Sequence, residues 1–131
     1  MHAGEGWRLR VDPNRQPFSA LVGGADWAAE LTLAELAWLQ RGVATLVAQL
    51  EATAPLLMPE EDVKLEYACG GLWLQLSGQP QRWSLRFVLE SEPAQQPSAR
   101  GLEGAWSAQA SQALAAVLQS LVLPAEIIVP A

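Results

Sequence analysis

The sequence predicts an α+β fold of two units, each an antiparallel β-meander followed by a helix. Three observations predict it: segments alternating apolar and polar residues at period two, glycine pairs at segment ends, and two stretches with apolar residues three and four apart. With 131 residues, half of them hydrophobic, the chain suits one domain with its own core. We expect a single domain over 1–131, with units over 6–54 and 60–123 and a C-terminal tail over 124–131.

The first strand is Trp7-Arg8-Leu9-Arg10-Val11-Asp12, turned by Pro13-Asn14. Phe18 to Val22 reads as a second strand, Gly23-Gly24 as a hairpin turn and Trp27 to Leu31 as a third. Thr32-Leu33-Ala34-Glu35 is a capping box, flanked by Leu31 and Leu36 as a hydrophobic staple. The helix it opens reaches Ala52 with Leu36, Leu39, Val43, Leu46 and Leu50 on one stripe, and Thr53-Ala54-Pro55 ends it.

Past the acidic turn Glu60-Glu61-Asp62, a second meander begins. Val63, Leu65, Tyr67 and Cys69 alternate along its first strand, and Gly70-Gly71 suits a type I′ hairpin, in which both central residues take positive φ. Leu72, Leu74 and Leu76 return; Gly78-Gln79-Pro80 turns again; Trp83, Leu85, Phe87 and Leu89 form the third strand. Residues 91–104 lack periodicity and read as a surface loop. A second helix is expected over 106–122, with Ala110, Leu114, Val117 and Leu121 facing the core and Pro124 stopping it. The apolar Ile127-Ile128-Val129 is expected to dock on the body or on a partner. The doubled order of strands and helix, with hairpins and one greasy face per element, points to α+β rather than α/β.

Composition excludes several functions. The single Cys69 makes no internal disulfide, which suits a reducing, cytoplasmic setting. No secretory signal is visible, and the apolar run from Ala113 to Ala131 is broken by Gln119, Ser120, Pro124 and Glu126, so no membrane span is expected. The net charge of −6 argues against a polyanion wrapped around the whole molecule but not against a local basic face.

No catalytic set is legible. His2 is the one histidine, at an end expected to fray, so histidine-dependent triads are absent. Cys69 falls on an apolar strand face and reads as an inert buried thiol rather than a nucleophile. Clustered Cys and His for zinc are missing, and Glu60-Glu61-Asp62 lacks the alternation of a calcium loop. The glycine pairs match no phosphate-cradling motif. We expect no enzyme activity, no cofactor and no metal; a carboxylate-only site is the one catalytic arrangement left open.

Strand alternation points instead to a surface. If Leu9, Val11, Leu65, Leu74, Leu85 and Phe87 face inward, then Arg8, Arg10, Lys64, Trp73, Arg82 and Arg86 face outward. Cations that follow phosphates beside a ring on which a base stacks are what a single-stranded nucleic acid requires. The bland alternative is a solvated sheet whose arginines pair with Glu66, Glu90 or Asp12, or stack on Trp73. A second functional reading is a protein-interaction or assembly factor anchored by Trp73, Trp27 or Trp106 and the 127–129 tail.

Several stretches stand out together: Gly6-Trp7-Arg8 with Asp12, Leu21-Val22-Gly23-Gly24 with Trp27-Ala28, Glu30-Leu31-Thr32 with Glu35, Leu57-Met58-Pro59-Glu60-Glu61, Leu72-Trp73-Leu74, Leu85-Arg86, and Arg100-Gly101-Leu102-Glu103-Gly104 with Trp106. Their order and spacing resemble a cyanobacterial family of unknown function, domain-of-unknown-function family 1818. The resemblance implies a fold similar to the Whirly and positive-cofactor-four group of single-stranded-DNA-binding regulators, in which strands-then-helix units pair about a two-fold or pseudo-two-fold axis. It also implies a role in a photosynthetic cell. The chain departs from the Whirly pattern in having a single lysine and no Lys-Gly-Lys-type strand.

Overall fold

The structure is a computed structural model that describes residues 1–90 and 101–123. Among these residues, eight strands form two four-stranded antiparallel sheets, each in sequential order. Sheet A holds β1 (His2–Gly4), β2 (Trp7–Val11), β3 (Ala20–Gly23) and β4 (Ala28–Leu31). Sheet B holds β5 (Val63–Cys69), β6 (Leu72–Gln79), β7 (Arg82–Glu90) and β8 (Gly101–Ala105). Helix α1 (Leu33–Thr53) follows sheet A and continues into a 3-10 turn over Ala54–Leu56; helix α2 (Ala108–Ser120) follows sheet B.

Helix α1 begins where the capping box places it. The Glu35 N–H donates to Thr32 Oγ1 at 3.1 Å, and the Thr32 N–H donates to Glu35 Oε1 at 2.8 Å. The whole predicted stripe is buried, from Leu36 through Leu39, Val43 and Leu46 to Leu50. It packs on β5 and β6, while α2 packs on β7. The helices also touch each other; α2 reaches across to β2 and β1, and α1 touches β4, so both helices contact both sheets. One core cluster therefore runs through both sheets and both helices.

Four strand expectations are corrected. His2 is not at a frayed end but in β1, paired with Leu9. β3 and β4 start at Ala20 and Ala28, and the turn between them runs from Gly24 to Trp27, closed by the Gly24 N–H to the Trp27 carbonyl at 3.0 Å. Gly23 belongs to the strand. Residues 101–105, expected as loop, form β8 against β7, with Leu102 opposite Leu89 and Gly104 opposite Phe87. Two glycines in five residues leave too few side chains for an alternation to show. The rest of that expected loop lies outside the described residues.

Gly70-Gly71 makes the two-residue hairpin, with Cys69 opposite Leu72. Only Gly70 has positive φ, at 58°, which is the type II′ pattern rather than type I′. Gly71 is required for a different reason. It lies against β7, where the Glu90 N–H donates to its carbonyl, and a Cβ at Gly71 would run into the Glu90 carbonyl oxygen.

Helix α2 is shorter than expected and rotated. Ser107 is its N-cap, taking the Ala110 N–H at 3.2 Å, so Trp106 stays outside it. Its buried residues are Ala110, Ser111, Leu114, Ala115 and Leu118, with Val117 and Leu121 only half-buried. Ser111 explains the rotation. Its Oγ accepts the Leu85 N–H at 2.9 Å and donates to the Trp106 carbonyl at 3.2 Å, at the point where β8 no longer covers the β7 edge. A serine on the apparent polar face is thus drawn inward by a backbone group left without a strand partner. Leu121 already leaves the helix, and its carbonyl and that of Leu118 accept from Gln40 Nε2 at 2.6 and 2.8 Å. Pro124 and the 127–129 tail lie outside the described residues. No helix among the described residues is long and apolar enough to cross a membrane.

Candidate functional site

Six side chains come forward from the alternation, and the structure divides them between two sheets. Arg8 and Arg10 stand on β2, in sheet A; Lys64, Trp73, Arg82 and Arg86 stand on β5, β6 and β7, in sheet B. They do not make one face.

On β2 the alternation holds, with Trp7 and Leu9 buried and Arg8 exposed. Arg8 lies over Gly23, where a Cβ would sit 3.0 Å from its Nε. Arg10 is half-buried, and its Nε is buried with no hydrogen-bond partner. This position is less open to a ligand than the alternation suggests.

The outer face of sheet B follows from its register. Trp73 on β6 lies opposite Ala68 on β5 and Val88 on β7, and Val88 lies opposite Glu103 on β8. The next row is Glu66, Gln75, Arg86 and Ala105. Beyond it come Lys64, Ser77 and Ser84, and then Gln79 with Arg82. The inner residues of the same strands, including Leu72, Leu74, Leu76, Leu85, Phe87 and Leu89, are all buried. Trp73 is half-buried on this face, flanked by the small side chains of Ala68 and Val88.

Arg86 sits diagonally from Trp73, with its guanidinium carbon 5.2 Å from the ring centroid, inside cation–π range. The remaining cations of the face, Lys64 and Arg82, form no ion pair among the described residues; the ion pair found there joins Arg15, in the β2–β3 connection, to Glu30 on β4 at 3.6 Å. Glu66, Glu90 and Glu103 share the outer face and balance its charge. Lys64 and Arg82 also border a cleft of about 820 Å³ at the end of the face away from Trp73. The sequence alone does not show that Ser77, Ser84, Ser107 and Ala108 join them in its lining, together with the acidic Asp62. The outward positions of Ser77 and Ser84 were readable from strand period; that Ser107 joins them depends on where β8 stops.

Two proposed contact anchors are corrected. Trp106 is buried, only 3 % exposed, and donates its indole N–H to the Gly23 carbonyl at 2.8 Å. Trp27 is half-buried, donates to the Ala105 carbonyl at 3.1 Å, and packs on Phe87 and Trp106 with ring centroids 5.7 and 5.2 Å away. These rings join sheet A's hairpin to sheet B. Cys69 is buried as expected. It neighbours Tyr67, whose hydroxyl is held above its ordinary pKa by burial and by Cys69, with Arg41 opposing. Among the described residues no three His, Cys, Asp or Glu side chains gather as a metal site would need.

Residues 2–121 match the family model described as "Domain of unknown function (DUF1818)". A crystal structure described as a protein with unknown function from the DUF155 family, from Prochlorococcus sp. NATL2A, is 32% identical, with a TM-score of 0.82. The match covers 91% of this chain and 95% of that one. No curated protein matches the chain.

Proposed function

The chain belongs to the DUF1818 family, and we propose that it is a non-enzymatic binding protein that takes single-stranded nucleic acid across the outer face of sheet B. The observation that carries this reading is the pairing of Trp73 and Arg86 on a face that also carries Lys64 and Arg82, neither of which forms an ion pair among the described residues. The part of the indole left open offers a base a stacking surface, and the cations supply phosphate contacts on the same face. The negative charge of the chain as a whole keeps such binding local rather than enveloping.

Support also comes from the order of elements. Each sheet runs in sequence order and each is followed by a side-chain-capped helix. We read this doubling as a pseudo-two-fold, Whirly-like arrangement, the fold expected from the resemblance. Arg8 and Arg10 form the corresponding, weaker surface of the first unit.

Titrating the full chain with a labelled single-stranded oligonucleotide at low salt tests the reading. Trp73→Ala should weaken binding by about 1–3 kcal/mol, the worth of one base–aromatic stack, and the double variant Arg82→Gln/Arg86→Gln should abolish it. Absence of binding by the unmodified chain at low salt would remove the proposal.

A second reading, a protein-interaction or assembly factor, is favoured by one specific feature. Leu56, which ends the 3-10 turn, and Met58 just past it are 82 % and 72 % exposed, and large exposed apolar side chains suit a protein contact. Loss of partner recovery from a native lysate in Leu56→Ser/Met58→Ser, with none in Trp73→Ala, would favour that reading over the first.

A further inference from the structure

The face of sheet B has two unlike ends. Trp73 stands at one; at the other, the Lys64–Ser77–Ser84 row runs into Ser107 and Ala108, which take up the position β8 vacates after Ala105. Arg82 enters the same cleft from the next row, opposite Gln79. The Ser77 and Ser84 hydroxyls have no side-chain hydrogen-bond partner among the described residues, and neither Lys64 nor Arg82 has an ion-pair partner there. Asp62 borders the cleft, so Lys64 and Arg82 against Asp62 leave it one positive charge in excess. The Ser107 Oγ accepts the Ala110 N–H and still has its own hydrogen to donate.

Resting on the nucleic-acid reading above, we infer that this cleft seats a terminal phosphate monoester of the bound strand. Two cations and three hydroxyl donors around one space select an anion rich in acceptor oxygens. A monoester near neutral pH carries a charge of roughly −1.5 to −2 and three strong acceptors, whereas a phosphodiester within the strand carries only one charge. The Arg82 fork suits paired phosphate oxygens, and Lys64 adds a compact charge. Ser77 lies four residues along β6 from Trp73, about 13 Å at ordinary strand rise. A strand stacked on Trp73 therefore has room to run along β6 and end in the cleft.

The test compares one labelled oligonucleotide in three forms: 5′-phosphorylated, 3′-phosphorylated and hydroxyl-ended. One phosphorylated form should bind about tenfold tighter than the hydroxyl-ended strand. Which of the two does so gives the strand's direction along β6. Ser77→Ala/Ser84→Ala should shrink the preference, whereas Trp73→Ala should weaken all forms and leave the ratio intact. Equal affinity for the three forms overturns the inference while the nucleic-acid reading stands. No binding of any form overturns both. Inorganic phosphate alone provides an arm independent of strand binding, since it should shift the Ser107 and Ala108 amide resonances in the unmodified chain. Unmoved resonances at millimolar phosphate also overturn the inference.

Discussion

Gly42 sits in the middle of α1, where alanine would ordinarily be the better helix former by about 1 kcal/mol. Here the local preference is outweighed. A Cβ at Gly42 would lie 2.7 Å from Tyr67 Cδ1 and 3.0 Å from Leu74 Cδ2, both beneath the helix on sheet B. Overpacking a filled interior costs about 1–3 kcal/mol, so Gly42→Ala should destabilise the protein by about 1 kcal/mol net, read as a lower urea midpoint. A rise in the midpoint would mean that α1 does not approach β5 and β6 this closely. Tyr67, the ring it would strike, makes a second prediction. Its hydroxyl pKa is raised in the folded state by burial first and by Cys69 second. The unfolded chain therefore releases the proton at lower pH than the folded one, and the stability this group contributes is present below about pH 10 and lost as pH rises through the folded value. Tyr67→Phe should flatten the alkaline limb of the stability–pH curve; an unchanged limb would mean that the phenol is solvated as in a free chain.

Elements make their own predictions. Helix α1 rests on a capping box whose two hydrogen bonds, at 2.8 and 3.1 Å, satisfy donors that would otherwise be orphaned at its first turn. Thr32→Ala should cost about 1 kcal/mol in thermal or urea unfolding, and Thr32→Ser should recover most of it. Both the cap and the buried stripe of α1 were legible, because each depends on residues three and four apart in the chain. Strand β8 and helix α2 were less so. β8 contributes one large apolar residue, Leu102, and two glycines, so it owes its shape to the β7 edge it pairs with. α2 is turned so that Ser111 reaches Leu85, and that demand comes from another element. A face assigned from hydropathy alone leaves Ser111 in water.

At the scale of the molecule, binding and charge are linked. If the sheet B face holds a strand through Lys64, Arg82 and Arg86, three phosphate contacts give a slope of about −2 in log affinity against log salt. A flat salt dependence would exclude phosphate contacts as the source of affinity whatever else binds there. The pattern of outward residues was readable for sheet B, where Lys64, Trp73, Arg82 and Arg86 do share a face. It misled in joining Arg8 and Arg10 to them, since period two tells which side of its own sheet a side chain takes and nothing about which sheets face each other. Trp106 shows the same limit. Its place beside Gly23 and Trp27 is set by contacts some eighty residues away along the chain.

The residue order by itself determined the α+β class, the capped first helix, most strands of both meanders and the side of the sheet on which the residues of those strands lie. These follow from alternation, helical spacing and capping, in which every partner is a near neighbour along the backbone. Tertiary structure alone decided that β1 and β8 complete the sheets, that Trp106 is sealed between them, and that Ser107 closes a cleft with Lys64 and Arg82. Each of those depends on hydrogen bonds and packing supplied by distant segments, and no local pattern records which distant groups will arrive.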